Sequence, residues 1–298
     1  MSAALGYLIR RNVKVYFKDK SSFFMSLISP LILFVLFITF LRSVYESSFQ
    51  AMIPEGVVIE KGVIDAFTGG WLMSSILGVS CVTIAFCANI LMAQDRVTGG
   101  VCDLMAAPIK KSTLALSYYI ANMIATGIVC FAAAAVGFLY LSVVGWYFTV
   151  TDVLLILLDV LLCVLFGTAL AALVENFIST QGGISAVASL VSALYGFLCG
   201  AYMPISQFSE PIRNFVAFIP GTYGTGLLRN HYMDAPLRQL EGTVPQTVLD
   251  GIRNGFDGNL YFFGNQVALW QMYLILIGST ALLLGVYVFI HYVKNKKK

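Results

Sequence analysis

Residues 114–144, LALSYYIANMIATGIVCFAAAAVGFLYLSVV, contain no Asp, Glu, Lys or Arg. A bilayer's hydrocarbon core is about 30 Å thick and needs about 20 helical residues to cross. This stretch supplies that with residues to spare. Five more stretches do the same or nearly so: 23–41, 67–93, 153–174, 182–203 and 267–292. With 59% hydrophobic and 11% charged residues, the 298-residue chain has the composition of a membrane protein rather than a soluble domain. The expected fold is an all-α polytopic membrane protein: one transmembrane domain over 1–298, with six transmembrane helices.

The basic residues predict the orientation. Arg10, Arg11, Lys14, Lys18 and Lys20 precede the first stretch, Arg96, Lys110 and Lys111 follow the second, and Lys294, Lys296, Lys297 and Lys298 follow the sixth. If the stretches alternate, these twelve of eighteen basic residues share one side, the cytoplasmic one by the positive-inside rule. The acids Glu46, Glu55, Glu60 and Asp65, then Glu210, Asp234, Glu241, Asp250 and Asp257, fall on the other. Both termini are therefore expected in the cytoplasm, with the chain multi-pass in a cell membrane, of bacterial type.

The mixed first twenty residues do not resemble a secretory signal. The six cysteines form no CxxC or Cys/His pattern, so neither a disulfide framework nor a metal is expected. The net charge of +3 follows from the cytoplasmic bias and does not point to nucleic acid.

Residues 5–20 read as an amphipathic interfacial helix. Leu5, Leu8, Ile9, Val13, Tyr16 and Phe17 recur at helical spacing, with Arg10, Arg11, Lys14 and Lys18 on the other face. An external loop of about 25 residues follows the first stretch. In the fourth, Asp159 must face protein or water, since a mid-helix carboxylate costs roughly 2.5–3.5 kcal/mol on insertion scales. The connection 204–266 is apolar in its first half and broken by Pro204, Pro211 and Pro220. That mixture predicts re-entrant helices at membrane depth, followed by a small polar external cap. On this reading residues 215–219 are sheltered, residues 234–258 are open to water, and Arg229 marks the return to the outside.

No HExxH, GxSxG or EF-hand pattern occurs, and no Gly-Lys dipeptide, which excludes a P-loop within this chain. The chain is thus not expected to be an enzyme. If nucleotide drives it, another polypeptide binds the ATP and Mg.

Two motifs point further. The loop 95–108, DRVTGGVCDLMAAP, places Asp95, Arg96, Gly99, Leu104 and Pro108 where the permease subunits of type 2 ABC exporters carry an acid–Arg pair, Gly, Leu and Pro. The segment 200–229, GAYMPISQFSEPIRNFVAFIPGTYGTGLLR, resembles that family's stretch after the fifth span at Gly200, Pro204, Pro211, Pro220, Tyr223 and Arg229. The sequence departs from the family pattern at Gly100, Val97 and Cys102. With a weaker match at the head of the chain, the resemblance covers essentially its whole length.

The resemblance implies a cytoplasmic ABC ATPase subunit as partner, a second permease copy or homologue, and surrounding lipid. It makes 94–113 the coupling loop and assigns partner-ATPase coupling to Arg11, Lys14, Asp95, Arg96, Gly99, Asp103 and Pro108. It makes spans one, two and five the walls of the pathway, where Ser75, Ser80, Thr83, Asn89, Ser189, Ser192 and Tyr195 are the polar candidates. The segment 200–229 becomes an external gate. The implied function is ATP-driven export of a drug-like, peptide or lipid-linked substrate. Two alternatives from other classes are an ion-coupled carrier using Asp159 and an intramembrane lipid-modifying enzyme.

Overall fold

The computed structural model describes residues 2–178 and 180–296. Helix α1 (Ser2–Lys18) ends at Asp19, whose non-helical backbone and side chain cap α2 (Lys20–Leu36) by accepting hydrogen bonds from Ser22. A π-helical turn over Phe37–Leu41 carries α2 directly into α3 (Arg42–Ala51). The external loop expected after the first stretch is therefore short: the helix runs on to Ala51, and only residues 52–60 separate it from α4 (Lys61–Val97). Next come α5 (Gly100–Met105), α6 (Lys111–Val144), α7 (Val150–Glu175) and α8 (Gln181–Leu198). A short 3-10 turn (Ile205–Gln207), α9 (Glu210–Val216), α10 (Pro220–Arg238) and α11 (Gln246–Gly255) follow. A hairpin of β1 (Leu260–Phe262) and β2 (Asn265–Val267) then leads into α12 (Leu269–Lys296).

Among the described residues, five helical segments are long and apolar enough to cross a membrane: Lys20–Ala51, Lys61–Met92, Lys111–Val144, Val150–Glu175 and Leu269–Ile290. The stretch expected at 182–203 is helical only to Leu198, because Gly200 takes φ +73° and turns the chain back. At 1.5 Å per residue the 18 residues of α8 span about 27 Å.

Helix α4 is the centre of the bundle. It packs against α2, α6, α7, α8 and α10, and most of its apolar stretch is buried. Small residues permit these approaches. A Cβ at Gly167 of α7 would lie 2.2 Å from the Cys81 carbonyl oxygen of α4, so the two helices touch backbone to backbone.

The prolines act as the sequence reading expected. Pro204 precedes the 3-10 turn, Pro211 sits in the first turn of α9, and Pro220 opens α10. Proline is tolerated there because the first N–H groups of a helix have no intrahelical partner. Helix α10 is polar in composition yet interior: fifteen of its nineteen residues are buried, among α4, α7 and α12.

Exposure is mixed in both stretches, 215–219 and 234–258: Val216 and Ala217 are buried, and Glu241, Gln246 and Asp250 are exposed. Phe215 and Phe218 are 62% and 63% exposed. Within 234–258, Leu237, Leu240, Leu249, Ile252 and Phe256 are buried and join the core of the bundle. An aromatic cluster of Tyr45, Phe49, Phe67 and Trp71 receives Phe256 and fixes the cap to α3 and α4.

Candidate functional site

At the basic end of the bundle, α1 is not a free interfacial helix. It presents Leu8, Asn12 and Tyr16, spaced four residues apart, to the bundle and lies along α6. Leu8 joins Leu114 and Tyr118 in a small separate core, onto which Val101, Leu104 and Met105 of α5 pack.

Beside this core, Asp95 is 7% exposed. It accepts both guanidinium arms of Arg11 and the Tyr118 hydroxyl, the latter at 2.5 Å. A fork of this kind is among the stronger charge-assisted contacts. Burial by itself would raise the Asp95 carboxyl, but the Arg11 and Tyr118 hydrogen bonds outweigh it and hold the group below the usual carboxylate range.

Gly99, at φ +83°, makes the turn that starts α5, a conformation costly for other residues. A Cβ at Gly100 would sit 3.1 Å from an Asp95 oxygen. The coupling candidates thus divide into two sets. Arg11, Asp95 and Gly99 build the joint between α1, α4 and α5, whereas Lys14, Asp103 and Pro108 are exposed. The backbone of Arg96 is helical, and its side chain lies outside the described ones.

A cavity of about 520 Å³ opens between α2, α4 and α8 on the same half of the molecule. Met25, Ile28 and Ile32 of α2 and Ser189 and Ser192 of α8 line it, together with Asp19 and Gln94. Ser29 donates to the Ser192 carbonyl at 3.3 Å. Hydrogen bonds from Ser22 hold the Asp19 carboxyl below its ordinary range, so it is ionised at neutral pH.

The seven candidate pathway residues separate. Ser189 and Ser192 line this cavity, and the other five are buried elsewhere. Ser75 accepts from Arg229, Ser80 donates to the Ile76 carbonyl, and Asn89 reaches the Ala171 carbonyl at 3.5 Å. The Thr83 hydroxyl is buried with no partner among the described residues, and Tyr195 packs against Gly221. Asp19, Gln94 and Tyr202, which also lines the cavity, were not singled out by sequence. Nothing in their spacing separates them from ordinary interfacial polar residues.

The far half of the bundle is held by buried polar contacts on α10. Arg229 does not mark a return to water, since it is 1% exposed. It donates to Asp257 at 2.9 Å, to Ser75 at 3.0 Å and to the Gly200 carbonyl at 2.8 Å, and lies over the Trp71 ring at 4.8 Å. Asp257, held at φ +56°, also accepts the backbone N–H groups of Ile205 and Ser206. Burial pushes its carboxyl upward, while Arg229 and these N–H groups favour the ionised form.

Elsewhere on α10, Asp159 of α7 has one oxygen 2.6 Å from His231 Nδ1 and accepts from Tyr273 at 2.7 Å with the other. Tyr223 donates to the Ala217 carbonyl at 2.6 Å. The gate candidates Gly200, Pro204, Pro211, Pro220, Tyr223 and Arg229 therefore lie in one assembly of turn, short helices and buried helix. Among the described residues no cluster of His, Cys, Asp and Glu has the makings of a metal site.

Comparison with curated proteins returns no match. The family model described as ABC-2 type transporter matches residues 3–233, from α1 through most of α10, which is well over half of the chain. The match takes in the α1–α5 joint, the cavity and the Arg229 helix, and with five bilayer-length helices it makes the chain a multi-pass membrane protein and a permease component. The chain belongs to the ABC-2 type transporter family.

Proposed function

We propose that this permease exports an amphipathic substrate, drug-like, peptide or lipid-linked, using ATP and Mg bound by a separate cytoplasmic ABC ATPase subunit. In this reading α8 completes a set of six spans, both termini are cytoplasmic, and 204–238 dips into the outer half of the membrane as re-entrant helices. The membrane is a bacterial cell membrane.

The observation that carries the reading is the cavity between α2, α4 and α8. It couples an apolar wall to serine hydroxyls and the Asp19 carboxylate, and α2 and α8, which line it, share a face exposing large apolar side chains, among them Phe24, Ile28, Leu190 and Leu194. A second permease copy set against that face would enclose the pathway between two such cavities. The joint of α1 and α5, locked by Arg11 and Asp95, forms a rigid pad at the cytoplasmic end. Closure of the ATPase against Lys14, Asp103 and Pro108 would move that pad with α4, and α4 touches every wall of the cavity. Asp19 favours substrates with a cationic end. The ion-coupled alternative has less support, since both Asp159 oxygens are already taken by His231 and Tyr273.

The test is reconstitution with an ABC ATPase subunit that co-purifies with this permease, followed by ATP turnover across a panel of amphipathic compounds. Substrate-stimulated turnover that Ser189→Leu abolishes is the expected result. Turnover that no amphipathic compound changes, or transport driven by an ion gradient without ATP, would overturn the reading.

A further inference from the structure

A second cavity, of about 610 Å³, lies between the start of α12, the end of α9, α10 and the hairpin. Its volume is in the range of small-ligand sites. Tyr223, Leu274 and Ile275 form its floor, Phe218 and Trp270 its walls, and the amides of Gln266 and Gln271 its rim. None of its lining residues is charged, and none is shared with the cavity between α2, α4 and α8.

Depth follows from α12, whose bilayer-length segment begins at Leu269. Trp270 is in its first turn, at the level where aromatic side chains mark the membrane–water boundary. Leu274 and Ile275 lie about 6–7.5 Å further along the helix, at acyl depth. The groove is continuous with the membrane-facing side of α12, where Trp270 and Leu274 are 62% and 60% exposed. An apolar floor at acyl depth beneath a neutral amide rim at headgroup depth is the shape of one lipid tail with its ester region.

We propose that this groove is a lateral lipid site taking one acyl chain of a bilayer phospholipid, held apart from the transport cavity by α10. Under the orientation proposed above this site lies in the outer leaflet, and only that placement rests on that reading. Binding of the chain does not depend on that orientation, so the two readings can fail separately. Gln266 and Gln271 would face the ester and phosphodiester oxygens, and Trp270 would pack along the first methylenes.

Trp270 is also the reporter. Trp71 is fully buried, and Trp146→Phe removes the only other exposed indole. The full chain carrying Trp146→Phe is purified in detergent and titrated with phosphatidylcholine brominated in the upper acyl chain. Fluorescence should fall saturably, to a plateau at a single lipid equivalent. Ala217→Phe, which fills the groove, should remove the saturable phase. Leu274→Asn, at an exposed position that does not disturb the core, should weaken the midpoint roughly tenfold, the loss expected for part of one buried aliphatic side chain. Quenching that rises linearly with lipid and ignores both substitutions would mean ordinary surrounding lipid. An absence of quenching would mean that protein covers the groove. Either result overturns the site.

Discussion

Arg229 sits in the interior, and the fold tolerates it because its charge is matched by Asp257 and its two terminal nitrogens donate to Asp257, Ser75 and the Gly200 carbonyl, leaving only Nε without a partner among the described residues. Removing one member of such a pair strands the other, at about 3–5 kcal/mol, whereas replacing both with apolar groups is often close to neutral. Arg229→Met should therefore lower the thermal stability of the detergent-solubilised chain sharply, and Arg229→Met with Asp257→Leu should recover most of it. Equal melting temperatures for the two variants would show that the pair is not coupled. Asp95 behaves differently, being a depressed carboxyl near water. Its folded value lies below its unfolded one, so its contribution is complete above about pH 4 and is lost as pH falls through the folded value. At neutral pH, Asp95→Asn should speed amide exchange in α1, and wild type and variant should converge once the pH is low enough to protonate Asp95. Hydrogen exchange resolved over residues 5–18 measures this.

At the scale of elements, the bundle depends on close crossings with α4 more than on side-chain volume. Gly167 of α7 meets the Cys81 carbonyl, a backbone atom that cannot rotate aside. Gly127 of α6 has nothing within 4 Å of its absent Cβ. The same substitution should then act in opposite directions. Gly167→Ala forces α4 and α7 apart and should cost at least the roughly 1–3 kcal/mol of overpacking. Gly127→Ala should be neutral or stabilising by about 0.5–1 kcal/mol, since alanine suits a helix interior better. Thermal unfolding of the two variants in one detergent decides it, and similar destabilisation of both would mean that the α4–α7 crossing is looser than described.

For the whole molecule, the pad at the basic end and the cavity are joined by a single continuous helix. Helix α4 carries Asp95 near one end, the cavity wall at Cys87 and Ile90, and Ser75, the partner of Arg229, further along. A displacement of the pad should thus reach the cavity and the α10 assembly through one element. Asp103→Lys, at an exposed site where substitutions change stability by about 0.5 kcal/mol or less, should weaken co-purification with the ATPase while leaving the melting temperature unchanged. Undiminished association would move the contact elsewhere on the pad.

The apolar runs, the basic bias and the prolines were legible in the sequence because each acts locally. A bilayer demands helical length, a membrane potential and leaflet charge sort lysines and arginines, and the rings of Pro211 and Pro220 favour the first turn of a helix. The loop motif around Asp95 and the segment after the fifth stretch were legible in the same way, as local patterns matching a family. What the linear chain left undecided is which polar residues meet. Ser75 and Arg229 lie 154 positions apart, Asp159 and His231 are 72 apart, and Arg11 and Asp95 are 84 apart. A buried charge is stable only beside its partner, and no local pattern names a partner that distant. So α10, polar enough to read as a return to water, became the interior of the bundle. Asp95, with the look of a surface contact, became an internal lock. Only tertiary packing could decide both, because the free energy of a buried polar group is set by what surrounds it rather than by its neighbours along the chain.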